Sequence, residues 1–436
     1  MEQITLINHA SVLIETDGIG LLSDPWYEGS AFSNGWELVS QTPALDISRV
    51  THVWISHEHP DHFSPRTILR YFADVTNKPV FLYKNTNDKR VVTFLRRNGF
   101  EVLELENLVA TNLNDKVKII SAQFGTDDSS LALVSTTGTF VNTNDCVGTR
   151  EDVETLRRLC EGLPRVDYLL TQFALAGKVG NESDVQMRVN ESRIIRQMAL
   201  EQVKAINATD LIPIASFKFF SHRENFYMNA GNSTVEGFFA EATAAGVQMS
   251  VLYPGDSLEI GNHLEEPISE RAVNRHRLDW SRIEPVEYDE KACQIEDLEE
   301  AGLRWANENL NSHNRFILRL LKHMPGDYSL RTIPIFLSDT GVQVDLSLSG
   351  VSASTRDTKS LYLSMSSWSL MNALKDTYGA MSLLINARIV GPPGLVRRFR
   401  VFAQLSTMRG SGVSLNLAWL LRSSKRLYWF LRLRRV

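Results

Sequence analysis

The first two hundred and fifty residues alternate between short apolar runs and amphipathic stretches. Ile4-Thr-Leu-Ile and Ser11-Val-Leu-Ile-Glu are runs of strand length, and Gly18-Ile-Gly turns the chain into Leu21-Leu-Ser23 before Asp24-Pro25. Val50-Thr-His-Val-Trp-Ile-Ser is another apolar strand, and it runs straight into a polar cluster at 57–62. Ser64-Pro65 predicts a helix start, since serine caps free amides and proline suits the first helical position. Strands are predicted near 80–82 and 101–105 with a helix over 89–97 between them, then three successive strands at 117–122, 131–136 and 139–143. Thr149-Arg-Glu-Asp152 is a capping-box-like opening for a helix through Cys160. Further strands are expected at 166–172, 211–215 and 250–253, with a long helix at 191–207. Such alternation predicts α/β layers.

Past residue 265 the pattern changes. Residues 265–282 are charged and irregular, and 297–321 read as one or two helices. From Thr332 a new unit starts, with strand-like Ile335-Phe-Leu, the alternating run Val342-Gln-Val-Asp-Leu-Ser-Leu, a helix at 366–374, and helices over 396–408 and 415–436. The expected organisation is therefore an α/β domain over 1–265, a helical connector over 266–330, and an α+β C-terminal domain over 331–436 with a basic tail.

Composition changes this picture little. With 43% hydrophobic and 22% charged residues, the 436-residue chain can bury more than one core. No basic segment followed by an apolar stretch opens the chain, and no run approaches the roughly 18–20 apolar residues that span a bilayer. Cys146, Cys160 and Cys293 are too few and too scattered for a disulfide framework or a four-cysteine cluster, so a cytoplasmic protein is expected. Charge is more informative. The net value is −5, yet no acid follows Asp376, so residues 377–436 carry +11 and the remainder −16. A basic end can meet a membrane surface or dock on an acidic body. The stretch from Leu415 mixes aromatics with cations as an interfacial helix does, but it is apolar nearly all round, which favours packing. No nucleic-acid partner is expected.

The chemistry concentrates in His57-Glu58-His59-Pro60-Asp61-His62. Imidazoles at i and i+2 of an extended segment fall on one side, where one metal can take both. Asp61 and His62 then turn away toward a second, adjacent metal. A strand that ends in this cluster sets it at the carboxyl edge of a sheet, where α/β folds place their sites.

This motif, after an apolar strand and before a helix, resembles the signature of the metallo-β-lactamase superfamily, which implies an αββα sandwich. Asn8-His9-Ala10-Ser11 with Ser23-Asp24-Pro25 resembles the opening of the branch that holds ascorbate-phosphate lactonases and N-acylphosphatidylethanolamine phospholipase D. More narrowly, residues 24–36, 54–62, 141–146 and Ser221-His222-x-Glu224-x-x-Tyr227 resemble the metallo-β-lactamase-like part of the CMP-N-acetylneuraminate hydroxylases, over roughly residues 1–265. Those hydroxylases also carry a Rieske iron–sulfur domain, and this chain has no Cys-x-His…Cys-x-x-His pair to build one. The C-terminal domain resembles sterol-carrier-like modules, which implies a cover over the site mouth, a pocket for an apolar tail, or a homodimer surface.

The resemblance implies two divalent metal ions, zinc or else iron or manganese. Its first metal takes His57, His59 and a third residue, usually histidine. Residues 121–129 offer none, so Asp128 is expected to stand in, with Asp127 next. Asp145 matches the bridging aspartate and His222 the last ligand of the second metal, which Asp61 and His62 also hold. Asp61 and Asp145 are the expected catalytic carboxylates. His9 and Asp24 are expected to orient ligands, and Lys178 and Arg223 to bind an anionic small-molecule substrate. Carboxylate in place of imidazole hardens the shell and shifts preference toward iron or manganese. Two functions fit. The favoured one is hydrolysis of an ester, lactone, amide or phosphodiester by metal-bound hydroxide. The alternative is a di-iron oxygenase acting on a nucleotide sugar or related metabolite, with a separate reductase as partner.

Overall fold

A computed structural model describes residues 2–125, 128–354, 361–417 and 419. Two sheets face each other in the N-terminal half. The first runs in the order Ser257–Glu259, Gln3–Asn8, Ser11–Thr16, Ile19–Ser23, His52–Ile55, Val80–Lys84, Val102–Leu105. The second runs Asp210–Pro213, Tyr168–Thr171, Thr139–Asn144, Asp128–Val134, Lys118–Phe124, Ala110–Asn112. Side chains alternate across the first sheet, as a two-residue period demands. Val12, Ile14, Leu21 and Trp54 point into a core shared with Ile119, Leu131, Phe140 and Leu169 of the second sheet. Their neighbours Leu13, Leu22, Val53 and Ile55 face the opposite way, onto Ile68 and Phe72 of the helix Pro65–Phe72 and Val91 and Leu95 of the helix Arg90–Arg97. The helices Arg150–Cys160 and Val185–Ile206 contribute Leu156, Leu159, Ala199 and Val203 to the shared core. The result is the expected αββα sandwich.

Helix ends follow the sequence closely. Ser64 Oγ accepts from the Thr67 amide with Pro65 in the first turn, and Thr149 Oγ1 accepts from the Asp152 amide while Asp152 Oδ2 accepts from the Gly148 amide. Two expectations fail. Residues 250–253 form no strand; the pairing at this sheet margin is limited to a single bridge between Met249 and Leu211, with the Ser250 hydroxyl donating to Asp210. The charged stretch after 265 is a helix, Glu266–Trp280, with Pro267 in its first turn. It buries Ser269, Ala272, Val273 and His276, a recurring stripe that its many charges disguise.

The expected connector is not one body. Glu266–Trp280 belongs to the first core through Ala272 and Val273, while Ile295–Ser312 and Arg315–His323 supply Leu298, Trp305 and Leu318 to a second core. That second core also takes a four-stranded sheet, ordered Gly350–Ala353, Val342–Ser347, Ile333–Leu337, Leu363–Met365, and the helices Ser367–Lys375, Gly379–Ile385 and Pro393–Gly410. The C-terminal unit is α+β, and its core takes in residues from Leu298 onward. Gly302 shows how tightly it closes, since a Cβ there would sit 2.5 Å from the backbone nitrogen of Val351. Among the described residues no helix is long and apolar enough to cross a membrane. The basic tail from 420 onward lies outside the described residues.

Candidate metal centre

Three loops at one end of the sandwich bring the site together. The strand His52–Ile55 delivers the motif, the turn at His9-Ala10 joins the first two strands, and Asn144-Asp145 ends the strand Thr139–Asn144. His9, Asp24 and Asn144 hold positive φ values of 46°, 36° and 52°, and Ala215, whose amide bonds the carbonyl of His9, holds 51°. Each such non-glycine residue costs on the order of 1 kcal/mol or more, and clustered strain of this kind marks functional sites.

Two ligand groups result. His9, Asp61 and His62 form one, fully buried, and His57, His59 and Asp145 form the other. In the first group, Asp61 Oδ2 lies 3.3 Å from both His9 Nε2 and His62 Nε2. In the second, His57 Nε2 is 2.8 Å from His59 Nδ1 and 3.9 Å from Asp145 Oδ1. Asp145 links the groups, because its other oxygen is 3.7 Å from His62 Nε2. Asp128 opens the strand that pairs with Thr139–Asn144, and its charge reaches Asp145 just beyond that strand's end. The two carboxylates sense each other: burial first, and then the charges of Asp128 and Asp61, push Asp145 up to about 6 despite the nearby histidines. Asp127 lies outside the described residues.

Electrostatics and unused valence fit metal ions here. Burial alone would raise Asp61, but His62 and His9 outweigh it and hold the carboxyl well below its usual range. Burial would lower His62, yet Asp61, Asp145 and Asp24 keep it well above. His57 is driven low, by burial first and then by His62, His59 and Lys84. His9 Nδ1, Asp61 Oδ1, His62 Nε2 and Asp145 Oδ1 are buried without a hydrogen-bond partner. Buried polar atoms are almost always satisfied, so four together on imidazole and carboxylate groups are what divalent cations would satisfy. The donor set therefore fits two metals.

Behind the ligands sits a rigid support. Asp24 accepts from the Ser56 amide and hydroxyl at 2.8 Å each, from His62 Nδ1 at 3.1 Å, and from Asn144 Nδ2. Ser129 donates to the carbonyl of Ser56 at 2.6 Å and Lys84 Nζ at 3.2 Å, which ties the motif to the second sheet. Lys218, 1% exposed, donates to the carbonyl of Leu175 at 2.7 Å with its ammonium 3.7 Å over Trp36. Burial drives it down to about 7, against the pull of Asp61.

Several placements differ from the sequence reading. His9, expected to orient a ligand, lies with Asp61 and His62 in a group that could itself hold a metal ion. His222 joins neither group; its Nδ1 accepts from the Glu224 amide at 3.1 Å and its Nε2 lies 3.5 Å from Glu290. Lys178 is buried, and its ammonium bonds the Gly180 carbonyl at 2.7 Å and the Tyr227 hydroxyl at 3.1 Å, so it is not offered to a substrate. Arg223 is exposed beside the His222 network. Ser56, Asn144 and Lys218 were not legible: an isolated serine, asparagine or lysine carries no spacing signal. His9 was, through its place in a two-residue turn between apolar strands, but sequence cannot tell which way the turn points.

An αββα sandwich with histidines and aspartates at one edge defines a metal-dependent fold of the metallo-β-lactamase type. Residues 3–134 match the family described as the beta-lactamase superfamily domain. Its curated relatives include the cytidine monophosphate-N-acetylneuraminic acid hydroxylases of Asterias rubens (24% identical over 254 residues, 53% of this chain and 37% of that protein) and Danio rerio (23% over 249 residues, 53% and 40%). The chain thus spans well under half the length of these relatives. Among solved structures, it is similar to isothiocyanate hydrolase from Delia radicum gut bacteria, with a TM-score of 0.41 at 16% identity over 60% of this chain and 100% of the other. It is similar also to the diiron β-hydroxylase CmlA from Streptomyces venezuelae, with a TM-score of 0.41 at 15% identity over 59% and 54%. Family and neighbours are enzymes, some hydrolases and some hydroxylases.

Proposed function

We propose that this chain is a two-metal enzyme that binds iron and hydroxylates a small anionic metabolite with dioxygen, in the cytoplasm. The observation that carries the reading is the carboxylate content of the site. Each ligand group pairs two imidazoles with one carboxylate, and Asp128 lies near enough for its charge to act on Asp145. Two histidines and a carboxylate with open positions suit non-haem iron, and extra hard oxygen donors weaken the case for zinc. The hydroxylase relatives support the same chemistry, and by their substrate a nucleotide sugar or a similar anion is the class to try first.

When bound, the metals would supply dioxygen activation. His57, His59 and Asp145 would hold one, and His9, Asp61 and His62 the other. Asp24 orients His62 and, through Ser56 and Asn144, fixes the two loops against each other. Hydroxylation puts one oxygen atom into a C–H bond and the other into water, and so consumes two electrons and two protons. A separate reductase would bring the electrons.

Hydrolysis is the second reading, and one observation favours it. It needs no electron donor, and the three cysteines lie apart as free thiols, not as a cluster that could relay electrons. The two readings part on metal content and oxygen uptake. Two irons per chain, with reductant-dependent oxygen consumption on a nucleotide sugar, is the expected result. Two zincs, with ester, lactone or phosphodiester cleavage under anaerobic conditions, would overturn it in favour of hydrolysis.

A further inference from the structure

The sandwich and the C-terminal unit meet on a short loop that touches the metal centre. Phe32, Ser33 and Asn34 follow one another at φ 51°, 50° and 60°. Three consecutive non-glycine residues in the left-handed region do not hold themselves. What holds them comes largely from elsewhere in the chain. Asn386 Nδ2 donates to the carbonyl of Phe32 at 2.8 Å, Arg388 Nη1 to the carbonyl of Ser33 at 3.1 Å, and Asn34 Nδ2 to Glu290 at 2.9 Å. Arg388, 1% exposed, is itself fixed by Glu224 at 2.8 Å and by Glu290 in a two-point bond of 2.7 and 2.5 Å. The loop packs so closely here that a Cβ on Gly35 would lie 2.3 Å from Cβ of Asn386.

The product of this bracing is the position of one ring. Phe32 is 3% exposed and sits edge-on to His59 with centroids 5.5 Å apart, backed by Trp36 at 4.5 Å. His59 is a ligand candidate that is only partly buried. The geometry points to Arg388 and Asn386 as positioning residues of the metal centre: they hold Phe32–Asn34 in a left-handed run and so press Phe32 against His59, and the His57–His59–Asp145 position is complete only while the C-terminal unit is docked. The inference rests on the two-metal reading above.

Four full-length proteins test it: wild type, Arg388→Met, Asn386→Ala, and Arg388→Met with Ser33→Gly. Chelator competition with zinc and with iron(II) counts the sites and their affinities, and hydrogen exchange of the metal-free proteins reports on residues 31–36. Arg388→Met and Asn386→Ala are expected to weaken one of the two metal positions by tenfold or more, to leave the other within about twofold, and to speed exchange across 31–36. Glycine adopts left-handed φ without steric penalty, so Ser33→Gly should restore a good part of the lost affinity in the Arg388→Met background. Unchanged affinities with unchanged exchange in both single variants would overturn the inference. So would equal loss at both positions that glycine does not rescue, since that is general destabilisation. A wild-type chain that binds no metal would instead sink the two-metal reading, while faster exchange at 31–36 in the variants would still report the brace.

Discussion

The ligand groups and the cluster around Arg388 are both largely buried and polar, and they are built on opposite principles. In the metal centre, four buried imidazole and carboxylate atoms lack a hydrogen-bond partner, and strained backbone presents their residues. Around Arg388, by contrast, each guanidinium nitrogen has an acceptor among Glu224, Glu290, Ser33 and Ser366. Surplus valence makes the first cluster a place where something binds. Closed valence makes the second a joint. Both contain a histidine among carboxylates, so residue type alone does not distinguish them; what remains unsatisfied does.

The largest effect should come from emptying the first cluster. His57→Ala removes a ligand that is 1% exposed, and the protein should lose metal stoichiometry and fall more than roughly 100-fold in activity, beyond the ~10–100-fold typical of supporting residues. Breaking the joint comes next. Arg388→Met strands Glu224 and Glu290, and a broken buried pair costs about 3–5 kcal/mol, readable by denaturant titration. Asp24→Asn keeps the shape but weakens the hold on His62, and should cost ~10–100-fold in metal affinity with little change in fold.

The smallest effect is one of pH. Burial would raise Glu290, but His222, Arg388 and Asn34 outweigh it and pull it down to about 2 from 4.5. A depressed carboxyl stabilises the folded state above its unfolded value, and that stability is lost as pH falls from about 4.5 toward 2. The stability gap between wild type and Glu290→Gln should therefore be full at pH 6 and close across that window. A gap that stays constant down to pH 2 would mean Glu290 carries no such linkage.

Much of this was legible in the sequence, for physical reasons that can be named. The sandwich followed from short apolar runs with alternating faces, and the motif from donor types at a spacing that strand geometry turns into a site. Asp145 was picked out by its place at a strand end, and the structure sets it beside His57 and His59, while Asp128 joins neither ligand group. The helix Glu266–Trp280 was hidden by its charges, and the start of the C-terminal unit by helices whose core partners lie far along the chain. The assignments to His9 and His222 depended on which way two loops fold back, a long-range outcome. His222 sits beside a strand just as a ligand would, yet Glu290 and Arg388, distant in sequence, claim its surroundings.

Metal stoichiometry of His9→Ala and His222→Ala, measured side by side on folded full-length protein, tests that exchange directly. The wild type should carry two metals, His9→Ala should lose one or bind it at least tenfold more weakly, and His222→Ala should keep both. Two metals retained by His9→Ala, with one lost by His222→Ala, would contradict the assignment of the site.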